Sequence, residues 1–299
     1  MRTASKLLGL VCVWLVAQPA SALNIFACEP EWAALARALA PQADIYSATH
    51  VYQDPHYIEA RPSLIARLRR ADIAFCSGAA LEDGWLPALQ QRASNPAVRE
   101  GAPGMFYAAD VVSTIEKHQE ALVGRGHVHA EGNPHLHLDP DRVQTIARHF
   151  SQRLMQLDPE QAEQYRQTFQ VWQKHWKQKR LQWKQQALAL SGKSVVVQHS
   201  TFSYLLRWLK LKPVADLEPA PGVSPTLSHL DALTQQLKAE KPLAIMHNWY
   251  QSDNSAHWLA KRISVPVLAL PSTVSEKEGI STLDQLFDHL IAELRSAQP

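Results

Sequence analysis

Residues 159–190 constrain the fold of this chain more than any other stretch. Tyr165, Phe169, Trp172, Trp176, Trp183, Ala187 and Leu190 recur at spacings near 3.6, with one gap in register between Trp176 and Trp183. Gln, Lys and Arg fill the opposite face, and no Gly or Pro interrupts the pattern between Pro159 and Gly192. At ~1.5 Å per residue a continuous helix over this stretch would run roughly 48 Å, longer than one small domain is wide. The pattern predicts a helix that packs against two lobes in turn; the plainer alternative is an ordinary amphipathic packing helix. Asp158 is expected to cap it, Pro159 suits the first helical position, and Gln161 could close a capping box.

On both sides of this stretch, short apolar runs alternate with helical patterns. Before it, strands are expected near 24–28, 43–46, 72–76 and 105–109, with helices near 30–40, 62–70, 83–91 and 140–156. After it, strands are expected near 194–197, 213–217, 243–247 and 265–270, with helices near 201–209, 226–239, 253–263 and 281–296. Strand–helix alternation predicts α/β lobes built on parallel sheets, which bind ligands beyond the C-terminal ends of their strands. The expected division is a leader over 1–22, a first lobe over 23–158, a linking helix over 159–190 and a second lobe over 191–299. A chain of 299 residues is long enough for two such cores.

The first residues read as a secretory signal: Arg2 and Lys6, then an apolar run from Leu7 to Ala17, then Ala20-Ser21-Ala22 as a small-residue cleavage site. Cleavage would leave Leu23 first; an uncleaved anchor is the alternative. Cys12 falls within the leader, so two cysteines remain, Cys28 and Cys76, each ending a strand-like run. In an oxidising compartment they could pair, or they could be two buried thiols, and the sequence leaves both open. The net charge of +2, without a basic block or acidic tail, gives no sign of a nucleic-acid partner.

Three histidines lie where such lobes bind ligands. His56 follows Asp54-Pro55, His135 follows Asn133-Pro134, and His199 ends the run Val195-Val196-Val197-Gln198. Imidazoles brought together from separate elements suit zinc better than calcium, magnesium or manganese, which prefer oxygen.

These segments resemble the periplasmic substrate-binding proteins of zinc and manganese ABC transporters. The run 54–63, Asp-Pro-His-Tyr-Ile-Glu-Ala-Arg-Pro-Ser, is similar to that family's first ligand motif. The run 133–140, Asn-Pro-His-Leu-His-Leu-Asp-Pro, is similar to its second, usually Asp-Pro-His-x-Trp-Leu-Asp-Pro. The run 198–205, Gln-His-Ser-Thr-Phe-Ser-Tyr-Leu, is similar to its third. The resemblance covers essentially the whole mature chain. It implies two Rossmann-like (β/α) lobes joined by a single long backbone helix, with the metal between them on His56, His135 and His199.

The chain also departs from the family pattern. Many members supply an Asp ligand from a turn in the second lobe, where this chain reads Leu268-Ala269-Leu270-Pro271-Ser272-Thr273-Val274. That absence favours zinc and leaves the fourth position to water, to His247 or to a carboxylate such as Glu59. His137 stands where the family has Trp, and is expected to shape the site wall. His127 and His129 sit in a short version of the family's histidine-rich loop, read either as metal-gathering or as a plain loop.

The resulting expectation is a periplasmic, monomeric carrier. It would take Zn2+ as transported substrate and hand it to an inner-membrane ABC permease. A manganese or broader divalent carrier of the same fold is the alternative. A three-histidine zinc hydrolase is the other, and the chain has neither His-Glu-x-x-His nor a nucleophile elbow to support it.

Overall fold

The computed structural model describes residues 22–116, 131–220 and 222–298. The expected signal segment therefore lies almost wholly outside the described residues, as do His127 and His129.

The first lobe is a four-stranded parallel sheet of β1 (Asn24–Ala27), β2 (Asp44–Ser47), β3 (Ile73–Cys76) and β4 (Met105–Tyr107), in the order β2-β1-β3-β4. Helices α1 (Pro30–Leu39), α2 (Pro62–Arg69), α3 (Leu86–Ala93) and α4 (Pro140–Leu157) accompany it. All four have Pro in the first turn, where its missing N–H costs no hydrogen bond. Next comes α5 (Ala162–Gln186). The second lobe repeats the design with β5 (Ser194–Val197), α6 (Ser203–Leu209), β6 (Lys212–Asp216), α7 (Leu227–Leu237), β7 (Ile245–Asn248), α8 (Asn254–Ile263), β8 (Val267–Leu270) and α9 (Leu283–Ser296). Its sheet is also parallel, in the order β6-β5-β7-β8. The two-lobed α/β architecture with a long linking helix is the one expected.

The linker differs in detail. Short 3-10 turns occupy Pro159–Gln161 and Leu188–Leu190, and only Ala162–Gln186 is α-helical. Its 25 residues span roughly 37 Å at ~1.5 Å per residue. The tightened final turn carries Leu190 fully into the core. Asp158 does not cap the helix with its side chain. Its carboxylate is taken instead by the Tyr165 hydroxyl, which donates to Oδ2 at 2.8 Å. The capping box occurs elsewhere, at Thr282 and Gln285 opening α9.

The aromatic stripe of α5 does pack on both lobes. Trp176 and Trp183 are essentially inaccessible and meet edge to face at 5.1 Å. Trp176 Nε1 donates to the Pro140 carbonyl of the first lobe, while Trp183 Nε1 donates to Asp288 of the second. Both rings contact Phe287 in α9. One apolar cluster therefore runs from Ile25, Phe75 and Phe150 through Trp176 and Trp183 to Val195, Leu206 and Phe287. Smaller clusters fill the outer layer of each sheet.

Cys28 and Cys76 form a disulfide between the ends of β1 and β3. Among the described residues, no helix is long and apolar enough to cross a membrane.

Trp183→Ala should open a cavity where the two lobes share their core. We expect a loss of about 3–5 kcal/mol in stability by denaturant titration, with both lobes melting together.

Candidate metal-binding site

The C-terminal edges of the two sheets meet across a cleft, and the chain turns that leave them carry the polar side chains. Such edges are where parallel sheets expose ligand-binding loops. His56 lies in the segment after β2, His199 directly follows β5, and His135 precedes α4.

His56 is almost wholly buried and is held by the residue two before it. Asp54 Oδ1 accepts from the His56 backbone N–H at 3.0 Å and lies 2.6 Å from ring Nδ1. A carboxylate only accepts when ionised, so Nδ1 is the protonated nitrogen. An imidazole fixed in that tautomer presents Nε2 as the lone-pair donor. Pro55 and the Asx-type turn at Asp54 thus set both the position and the chemistry of this ring.

His199 is built the same way from the second lobe. Its Nδ1 lies 2.8 Å from Glu218 Oε2. Glu218 is steadied by its own N–H, which donates to Asp216 Oδ1, and by Gly222 N–H, which donates to Oε2. Burial alone would depress the His199 pKa and is the largest single influence. The hydrogen bond and charge of Glu218, with the charges of Asp216 and Asp54, together outweigh it and raise the value. Asp216 is pushed up to about 7 by burial. Tyr250 is raised by burial and then by the charge of Asp54, with Glu218 adding to it. Asp54, His199, Glu218 and Tyr250 line one polar cavity of about 480 Å3, together with Tyr52 and Gln198.

His135 connects the two. Its ring centroid is 6.2 Å from that of His56, at a steep angle. Its backbone N–H donates to Asn133 Oδ1. Asn133 Nδ2 donates across the cleft to the carbonyl of Ser200, the residue after His199, at 2.8 Å. The Tyr204 hydroxyl donates to the Asn133 carbonyl and accepts from Ile115 N–H. An Asp at 133, as in the motif this segment resembles, could not donate to Ser200. The amide therefore has a structural reason: it ties the His135 loop to the His199 loop.

His137 stands behind His135, their ring centroids 6.3 Å apart. Its Nε2 donates to the Ser272 carbonyl at 2.6 Å, and its Nδ1 lies 2.9 Å from Glu31 Oε1. The other Glu31 oxygen accepts from the Thr273 hydroxyl. Nε2 is thus taken up by a hydrogen bond, while Nδ1 faces the Glu31 carboxylate without forming one. The turn at 271–274, which carries no carboxylate, is pinned to the first lobe by this buried pair.

The two other candidates are His247 and Glu59. His247, at the end of β7, is buried with Nδ1 3.0 Å from the Asn248 carbonyl. Glu59 is exposed. Two of the three imidazoles have carboxylates directly behind them, Asp54 behind His56 and Glu218 behind His199. Sequence reasoning passed over both. Asp54 lay in a quoted motif, where the Asp-x-His spacing is the signal of a side chain folding back on its own turn. Glu218 opens the Pro-rich run Glu218-Pro219-Ala220-Pro221, and no local pattern shows that β6 delivers it beside the end of β5.

The family model described as "Zinc-uptake complex component A periplasmic" matches residues 25–297. The iron ABC transporter substrate-binding lipoprotein MtsA of Streptococcus pyogenes serotype M1 is 23% identical over 256 residues, 84% of this chain and 74% of that protein. A crystal structure of ZnuA has a TM-score of 0.76 at 19% identity, covering 91% of this chain and 99% of that one. The Mn-bound periplasmic metal binding protein from candidatus liberibacter asiaticus has a TM-score of 0.74 at 17% identity, covering 92% and 99%. At these identities the structural likeness carries the fold.

Asn133→Asp should lose the donor to Ser200 and set a buried carboxylate against its carbonyl. We expect a loss of about 2 kcal/mol of stability in thermal or denaturant unfolding. Glu218→Gln should leave the fold intact and weaken metal binding roughly 10–100-fold in competition titrations, as loss of a carboxylate behind a ligating imidazole does.

Proposed function

We propose that this chain, which belongs to the periplasmic zinc-uptake complex component A family, captures Zn2+ on His56, His135 and His199 and delivers it to an inner-membrane ABC permease. Membership makes it a substrate-binding protein of a metal ABC transporter; the ion, the ligand set and the delivery route are the proposal. It would act in the periplasm after removal of the signal segment, as a monomer, and without chemistry on its cargo.

One observation carries the choice of ion. His56 and His199, from opposite lobes, each have Nδ1 against a carboxylate. This is the arrangement that holds an imidazole in its metal-binding tautomer and raises its basicity. Nitrogen donors of that kind favour zinc over manganese. Asp54 and Glu218 offset the charge of a divalent ion without having to ligate it. A fourth position left to water or to an exchangeable side chain suits a carrier, because a cargo must also leave.

Release requires the cleft to loosen, and the shared core limits how far. The lobes are joined by α5, by the Asn133–Ser200 and Tyr204–Asn133 hydrogen bonds and by the Glu31–Thr273 contact. A Tyr52–Trp249 stack, with centroids 5.9 Å apart, also crosses the cleft. The motion expected is a small rocking of the loops rather than a wide hinge opening.

Titration of chelator-stripped protein should give one tight zinc equivalent per chain. His56→Ala, His135→Ala and His199→Ala should each weaken it by more than the roughly 10–100-fold expected for Glu218→Gln. Zinc affinity surviving all three changes would sink the ligand assignment. Manganese or ferrous iron displacing zinc at equal concentration would overturn the choice of ion.

A further inference from the structure

A second group of potential metal donors lies in the first lobe, apart from the histidine cleft. Cys28 Sγ, Cys76 Sγ and a carboxylate oxygen of Glu82 all fall within 4.8 Å of one another, and all three residues are buried. The two sulfurs are joined, which closes the group to metal as the protein stands.

The backbone around these donors is shaped to bring them together. Gly78, Ala79 and Ala80 have φ of 73°, 51° and 63°, three successive residues in the left-handed region. For the two alanines that conformation is strained, and such strain persists only where surrounding contacts enforce it. It turns the chain after Cys76 back, so that both Glu82 oxygens accept from the N–H groups of Ser77 and Gly78. Glu29, directly after Cys28, is also buried. Its Oε2 accepts from the Ser77 hydroxyl at 3.2 Å, and its Oε1 makes no hydrogen bond. Burial, and then the charges of Glu82 and Glu31, raise its pKa well above the usual carboxyl range. Of these two neighbouring buried carboxyls, Glu82 is the one that lies beside both sulfurs.

The group also borders an acidic cavity through Glu82. Glu82 lines a cavity of about 400 Å3 whose walls carry Asp83, Glu100, Asp110 and Glu131. Carboxylates crowded around one opening raise the local concentration of cations.

We propose that reduction of the Cys28–Cys76 disulfide creates a second, buried site for a soft divalent cation, cadmium or zinc, on the two thiolates and Glu82. A dithiol supplies the two electrons: the S–S bond breaks, each cysteine takes a proton, and the dithiol leaves as its cyclic disulfide. The incoming ion then displaces the two thiol protons to solvent as two metal–sulfur bonds form. Thiolate sulfur is a preferred donor for such ions, and it becomes available only in this state. The oxidised chain holds one ion in the cleft; the reduced chain holds two, by different chemistry.

The test uses the mature chain, stripped of metal, reduced with a dithiol and freed of it under anaerobic conditions. Cadmium titration of the oxidised protein should show one equivalent and no ultraviolet sulfur-to-cadmium band. The reduced protein should show a second equivalent with that band. His56→Ala should weaken the cleft site and leave the band in place. Glu82→Gln should weaken the second site about tenfold or more, by analogy with loss of a metal-site partner. A reduced chain with no band and no second equivalent overturns the proposal. Loss of the cleft site on reduction overturns it too, because the fold would not survive the state the new site requires. An unchanged second site in Glu82→Gln removes the carboxylate from it.

Discussion

The two indoles of Trp176 and Trp183 are the contact on which the rest of the arrangement depends. A single helix cannot hold two sheets in fixed relation by its backbone alone. Here its buried rings are part of both cores, and each indole N–H is spent on a different lobe. The cleft is therefore the open rim of one continuous apolar body. Its loops can be positioned to fractions of an ångström because the elements that carry them do not drift.

On that body the site is assembled by short polar links rather than by long side chains. Asp54 orients His56, Glu218 orients His199, and Asn133 joins the His135 loop to Ser200. Each link fixes one ring or one loop at small entropic cost, since each partner is already held by a turn of its own backbone. Preorganisation of this kind is what allows few donors to bind an ion firmly.

The eight strands and nine α-helices assigned among the described residues were legible because parallel βαβ units write themselves as apolar runs alternating with amphipathic ones. The two-sided packing of 159–190 was legible from its aromatic stripe. What escaped was non-local. Asp158 looked like a cap until Tyr165, one fold-back away, claimed its carboxylate. Glu31 sits in the first helix with no hint that Thr273, across the cleft, would bond to it. Glu218 reaches His199 only because β6 pairs beside β5. Spacing along the chain reports which face a residue occupies; it does not report which turn a sheet order sets next to it.

The matching strand order of the two sheets has a further meaning. In each lobe the second strand lies outside the first, and the third and fourth follow on its other side. The residue that opens the helical segment after the first strand is Glu29 in one lobe and His199 in the other. The residue before it is Cys28 in one and Gln198 in the other. One architectural seat thus recurs, furnished with sulfur and carboxyl on one side and with an imidazole on the other. The lobes are geometric twins with different chemical affinities.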